Sequence, residues 1–258
     1  MWWVVYLALV ILVIGLIFIL NSEYKNLVIV TAHYKEDLNW LKKSPWPVVV
    51  CDKKGAAPMD FQADPKCSLS ENRGREASAF LKYIIEYYDS LPEYVAFIHG
   101  HENAWHQEGD LINAIRRARI THAKYISLNN RIDLKSIEPQ AIEHSEDIEA
   151  NHPAYKILKK RWSDLFGPIL GIPYPEYLRF KCCAQFIVSK DTIRNHSKED
   201  YQKLYEFVMD PKEEDYTTGM AMEFIWHIIF GGNPDMCSNA DHGCDGFSYD
   251  MNFFNKIL

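Results

Sequence analysis

The chain has 258 residues, a net charge of −7, and 48% hydrophobic and 24% charged residues. That composition excludes an intrinsically disordered chain. It also argues against nucleic acid as a partner, because duplex binding needs a basic face. No internal repeat, low-complexity segment or long like-charge run breaks the sequence, which divides into residues 1–23 and a single domain, 24–258, large enough for one well-buried core.

Residues 2–20 carry no charge and one glycine, and about 20 apolar residues span a bilayer core as a helix. A cleaved signal peptide would want a basic start, a shorter apolar core and a small-x-small site. Asn21-Ser22-Glu23 is a poor cleavage site, so the segment reads as an N-terminal transmembrane anchor. Positive charge flanks it only at Lys25 and the α-amino group, so the positive-inside rule hardly discriminates. A short tail followed by the whole domain suits a single-pass type II signal-anchor with a lumenal domain.

Leu27–His33 is a β-branched run, read as the first strand, which delivers His33, Glu36 and Asp37 to its carboxyl end. A helical turn follows around Leu38–Leu41. Pro47–Cys51 is a second buried strand, and Asp52 just beyond it is either a donor contact for a ribose or uracil, or part of a solvated turn. After a Pro-, Asp- and Ser-bearing loop, Asn72-Arg-Gly-Arg-Glu76 opens an amphipathic helix from Ala77 to Tyr88. A helix N-terminus suits phosphate, and Arg73 and Arg75 strengthen that reading. An Asn72 cap with two surface arginines is the alternative.

Tyr94–Ile98 is an apolar strand that breaks at Gly100 into His99, His101, His106, Glu102, Asn103 and Trp105. Ligands of open α/β sheets sit at the carboxyl ends of strands, so this stretch marks the candidate site. On a continuing strand His99 and His101 would face one side and could share a ligand, with His106 beyond reach. Helix 108–118, strand 124–128, a long polar excursion over 129–176, strand 180–189 and helix 199–209 follow. The helix 221–230 then sets Glu223 and His227 on one face, as a buried hydrogen-bonded pair or as site groups. Alternating strands and helices predict an α/β sandwich with a largely parallel sheet.

The cysteines are Cys51, Cys67, Cys182, Cys183, Cys237 and Cys244, an even count that suits an oxidising compartment. Cys237 and Cys244 enclose a short polar loop and are the leading pair. With His242 they lack the ligand spacing of common zinc knuckles. Cys51 and Cys182-Cys183 lie in apolar runs, where free buried thiols remain an alternative.

The blocks Val28–Leu41, Asn72–Glu76, Leu91-Pro92 through His101, Ala184–Ser189 and Phe224–His227 with Phe230-Gly231 resemble an uncharacterised domain family of eukaryotes and viruses. That family's layout is similar to the GT-A nucleotide-sugar glycosyltransferases. The resemblance implies a GT-A-like three-layer sandwich, a nucleotide-sugar donor and a glycan or glycoprotein acceptor. It also implies donor contacts from Asp52, Asn72, Arg75 and Glu76, with Trp105 stacking on a sugar. Glu223 is the candidate base, with His227 next.

One departure stands out. Where such transferases carry Asp-x-Asp for Mn²⁺ or Mg²⁺, this chain reads His99-Gly100-His101. Imidazole suits zinc or manganese better than magnesium. The place therefore holds a softer metal such as Zn or Mn on His99 and His101, uses cations on the diphosphate instead, or has lost catalysis. Two other functions compete with a transferase: a His-ligated, metal-dependent hydrolase and a non-catalytic membrane-anchored binding module. No GxSxG, Walker A or Rossmann fingerprint occurs.

Overall fold

Five short runs rich in Val, Ile and Phe assemble the sheet. The computed structural model describes residues 26–54, 60–107, 109–118, 123–129, 152–175, 178 and 183–234, together with Trp3 and Tyr6. The rest of the proposed anchor, 2–20, lies outside the described residues, among which no helix is long and apolar enough to cross a membrane.

The strands are β1 (Leu27–His33), β2 (Val48–Asp52), β3 (Tyr94–His99), β4 (Tyr125–Ser127) and β5 (Phe186–Ser189), in the order β2-β1-β3-β5-β4. β1 pairs in parallel with both β2 and β3, whereas β5 runs antiparallel to its neighbours β3 and β4. The sheet is therefore mostly parallel, with one reversed strand inserted between β3 and β4. The order turns back on itself at β1 and β3, which makes their carboxyl ends a topological switch point.

The helices are α1 (Ala77–Tyr87), α2 (Leu111–Arg117), α3 (Pro153–Arg161), α4 (Lys190–Ile193), α5 (Lys198–Met209) and α6 (Asp215–Ile229). The helical turn after β1 is a 3-10 turn, Asn39–Lys43. A π turn, Trp162–Phe166, carries the chain from α3 into a last short turn, Gly167–Leu170.

Both faces of the sheet are covered, so its strands are buried runs rather than alternating ones. Leu27, Ile29, Ala96, Ile98 and Ile187 pack with Trp40, Leu41 and α2 on one side. Val30, Val95, Phe97 and Phe186 pack with α1, α3, α5 and α6 on the other. On that second side Phe80, Phe97, Phe186 and Trp226 form a ring cluster with centroids 4.9 to 6.5 Å apart. Each such side chain contributes about 1.5–3 kcal/mol by burial.

α6 begins six residues before the predicted Ala221. Glu214 supplies its N-cap, accepting from the Thr217 backbone N–H at 3.0 Å. Conversely, β5 starts at Phe186, so 183–185 of the predicted 180–189 strand are not in it, and 180–182 lie outside the described residues. The free-thiol alternative does not hold for Cys51, which is joined to Cys67 in the loop between β2 and α1. Cys183 is disulfide-bonded too, and the proposed Cys237–Cys244 pair lies outside the described residues.

Candidate functional site

The carboxyl ends of β1, β2 and β3 deliver His33, Asp52 and His99 to one edge of the sheet. A cavity of about 220 Å³ opens there, lined by His33, Tyr34, Glu36, Lys53, Asn72, Arg75, Glu76, His99, Gly100 and His101, with Ala32 at its floor. Of the predicted site residues, this brings together Asn72, Arg75, Glu76, His99 and His101. Glu223 joins them from α6 through Arg75. Asp52, Trp105 and His227 do not line it.

β3 stops where Gly100 passes Glu36. A Cβ on Gly100 would stand 2.9 Å from the Glu36 Cβ and 3.0 Å from its Oε2, so no larger residue fits this crossing. The indole of Trp40 donates to the Gly100 carbonyl at 3.0 Å and fixes the bend. His99 and His101 thus reach one cavity around a turn, not along a continuing strand as expected. His106 is also nearer than expected, with its ring 5.6 Å from that of His99, edge to face.

Behind these histidines lies a buried amide network that the sequence did not announce. The Gln185 side chain accepts from the His99 backbone N–H at 3.3 Å and donates to Gln107 at 2.8 Å and Asn129 at 3.1 Å. Asn129 in turn accepts from Nδ1 of His106 at 2.9 Å. Every buried amide here has partners, as buried polar groups require. The network joins β3, β5 and the ends of two loops.

Between β2 and α1 the backbone enters the left-handed region twice in succession, at Gly74 (φ 72°) and Arg75 (φ 48°). For a non-glycine residue that conformation is strained, and such strain persists only where surroundings over-determine it. Here they do. The Arg75 carbonyl accepts from the Lys53 ammonium and from the Ser78 hydroxyl, and the Gly74 N–H donates to Asp215. The two flanking arginines consequently part. Arg73 turns away and donates to the carbonyls of Asp210 and Glu213, so it is an anchor for the α5–α6 connection and not a phosphate ligand. Arg75 turns into the site. Asn72 is not the helix cap either, since Glu76 occupies that position without a side-chain cap bond.

Arg75 crosses α6 at Gly219, where any Cβ would meet its Cγ and Cδ at 2.6 Å. It reaches Glu223, with Nε 3.0 Å from Oε1, and stands 3.9 Å from Oε2 of Glu76. One guanidinium therefore serves two buried carboxyls. Burial raises both, taking Glu223 up to about 8, with the neighbouring Glu76 adding to the rise and Arg75 opposing it. Lys53 is lowered to about 8 by burial, against the pull of Glu76. Burial, with His106 second, holds His99 neutral, at about 3.

Nε2 of His99 lies 3.9 Å from Oε2 of Glu76, and neither this nitrogen nor Oε1 of Glu76 has a hydrogen-bond partner among the described residues. Such orphaned atoms are available to a ligand. As a metal centre, however, this pair is short of ligands. No group of three or more His, Cys, Asp or Glu side chains among the described residues is arranged to hold an ion.

The other predicted residues have different settings. Asp52 is buried against His33, with Oδ1 2.7 Å from Nδ1, while Nε2 of His33 lies 3.1 Å from the Glu36 carbonyl. That pair clamps β1 to β2 and removes Asp52 from the open cavity. His227 is buried, and burial lowers it to about 4 against the opposing pull of the Pro234 and Asn233 backbone. Trp105 is exposed beside His106, with centroids 5.4 Å apart. Sequence reasoning passed over Lys53. Its signal was the cation directly after Asp52, and only the fold shows that it points inward.

The model of a family described as a protein of unknown function, DUF3431, matches residues 28–245, which hold every residue of this site. The chain belongs to the DUF3431 family. No curated protein and no solved structure matches it. For this DUF3431 chain the site is therefore read from its own geometry: a polar cavity at the switch point, two cations, two buried protonatable carboxyls and a neutral histidine. That set can bind an anionic group through Arg75 and Lys53 and move a proton through Glu223 or Glu76.

Proposed function

We propose that the chain is a membrane-anchored glycosyltransferase, using a nucleotide-sugar donor and a glycan or glycoprotein acceptor, with its domain on the lumenal side. One observation carries the reading: Arg75 lines the cavity at the β1–β3 switch point while its Nε contacts Glu223 at 3.0 Å. A cation that can meet a phosphate thus stands at the cavity with a buried carboxyl directly behind it, at a switch point where α/β sheets bind nucleotides. The apolar run 2–20 supports the anchor.

In the step this implies, an acceptor hydroxyl attacks the anomeric carbon and the carbon–oxygen bond to the diphosphate breaks. The nucleoside diphosphate departs with the electron pair. Glu223, once ionised, takes the hydroxyl proton as general base. Arg75 and Lys53 meet the negative charge gathering on the leaving group. The donor set around His99 and His101 does not form a three-ligand centre among the described residues.

The test is thermal melting of the full chain in detergent with UDP- and GDP-sugars, with and without Mn²⁺. A binder present at 100 times its Kd stabilises the folded state by about 2.7 kcal/mol, a readable shift. Absence of any shift with every nucleotide would sink the reading. Stoichiometric zinc without nucleotide affinity would move it to the metal-dependent hydrolase. Nucleotide binding with no turnover, in the wild type as in Glu223→Gln and His99→Ala, would leave a binding module.

A further inference from the structure

The cavity is small for what it is proposed to hold. Pockets that enclose a whole ligand measure roughly 300–1,000 Å³, against about 220 Å³ here, so donor and acceptor must extend over the rim. In the described part of the domain, the large hydrophobic side chains left exposed are Trp105, at 64%, and Tyr216, at 46%. A big ring left in water forgoes burial energy, and single exposed rings are normally scattered. These two are not scattered. Trp105 abuts His106, which packs on His99. Tyr216 lies with its ring centre 5.5 Å from the guanidinium carbon of Arg75.

The placement of Tyr216 follows from α6. Tyr216, Gly219 and Glu223 are spaced three and four apart, so they form one stripe of the helix. Arg75 crosses that stripe at Gly219 to reach Glu223. The stripe therefore runs from a buried carboxyl, past a cation, to an exposed aromatic ring. Seven residues separate its ends, roughly 10 Å along the helix axis. That span is longer than one pyranose ring.

We infer that Tyr216 is a stacking surface for a pyranose ring of the acceptor, next to the ring whose hydroxyl meets Glu223. The inference deepens the transferase reading and rests on it. A pyranose presents a C–H face that suits an aromatic ring and hydroxyls at its edge that suit the neighbouring guanidinium. Tyr216 stands on the helix of the proton acceptor, which makes its ligand the acceptor rather than the nucleobase. The spacing makes that acceptor an oligosaccharide of at least two rings.

Saturation-transfer NMR on the full chain in detergent tests this with lactose, maltose and chitobiose, their monosaccharides, and UDP. Saturation from protein aromatic protons should reach at least one disaccharide more strongly than its component sugars. Tyr216→Ala should weaken that disaccharide's binding by roughly tenfold, about 1.4 kcal/mol, while Tyr216→Phe retains it. Thermal melting of both variants checks that they fold, as an exposed position allows. The inference is overturned if no disaccharide is contacted, if Tyr216→Ala binds the disaccharide as well as the wild type, or if only the uracil contact depends on Tyr216. The UDP arm separates the two claims. Tyr216-dependent disaccharide contact without binding of UDP, or of GDP in a parallel arm, supports the platform and sinks the nucleotide donor. UDP binding with Tyr216-independent sugar contact does the reverse.

Discussion

Arg75 and Glu223 meet at 3.0 Å although one follows a loop after β2 and the other lies two turns inside α6. Their contact is what joins the helix face to the sheet edge at the site. Because Glu76 shares the same guanidinium, removing the cation leaves two buried acids facing one another. Arg75→Ala should therefore abolish nucleotide binding while Glu223 and Glu76 stay protonated to higher pH. Titration calorimetry with UDP, paired with a pH series of melting curves, checks both effects. Arg75→Lys should not rescue binding, since a point charge cannot span both carboxyls.

Gly219 gives a prediction that opposes helix propensity. In an ordinary helix Gly→Ala stabilises by about 0.8–1 kcal/mol. Here the added methyl would strike Cγ and Cδ of Arg75 at 2.6 Å, and the strained backbone of Arg75 leaves it little room to yield. Gly219→Ala should destabilise by about 1–3 kcal/mol and displace Arg75 from Glu223. Denaturant unfolding measures the first effect and turnover the second. A stabilised variant would overturn the packing described here.

The pH dependence of stability follows from the shifted groups. Between about 4.5 and about 8 the folded Glu223 holds a proton that the unfolded chain has lost. Its contribution to stability therefore declines as pH rises through that window. His99 and His227 act in the opposite sense. Their folded values of about 3 and about 4 lie below the ordinary 6.5, so the unfolded chain binds more protons and stability falls on acidification below about 6.5. Melting temperature should peak near pH 6.5, and Glu223→Gln should flatten the decline towards pH 8.

Turnover should have a narrower profile. Glu223 must lose its proton to act as base and Lys53 must keep its own to hold an anion, and both sit at about 8. The rate should pass through a maximum near pH 8. Lys53→Met should remove the alkaline limb, and a profile unchanged by that substitution would exclude Lys53 from the site.

Asp52 separates a structural role from a binding one. Asp52 is buried against His33 and, unlike it, does not line the cavity, and leaving a buried hydrogen-bonding partner unsatisfied costs about 1–3 kcal/mol. Asp52→Ala should lower the melting temperature strongly. Any change in nucleotide affinity should vanish at temperatures where the variant is fully folded.

The strands were legible because β-branched runs such as Leu27–His33 leave a plain signature, and the cluster after β3 because titratable groups follow an apolar strand. Strand direction leaves no such mark, so the reversal of β5 was invisible. Arg73 and Arg75 look alike in sequence. Only the left-handed pair Gly74–Arg75 sends one to the carbonyls of Asp210 and Glu213 and the other to Glu223. The first turns of α6 were missed because Thr217, Thr218 and Gly219 are weak helix formers, held here by the Glu214 cap and by packing. Lys53 resembled a solvated turn residue because its partner, the Arg75 carbonyl, is supplied by a distant loop.

The position of β5 has a consequence for how the chain acquires its shape. Among the described residues β4 pairs in the sheet only with β5, and β5 fills the gap between β3 and β4. As the polypeptide emerges, β1, β2 and β3 can close on one another. β3 then presents a bare edge, and β4 waits unpaired until Phe186–Ser189 is made. Unpaired edges invite pairing with other chains, and late, non-local strand insertion is slow. The nascent domain therefore passes through an interval when its central strand is its most adhesive, and the insertion of four residues ends that interval.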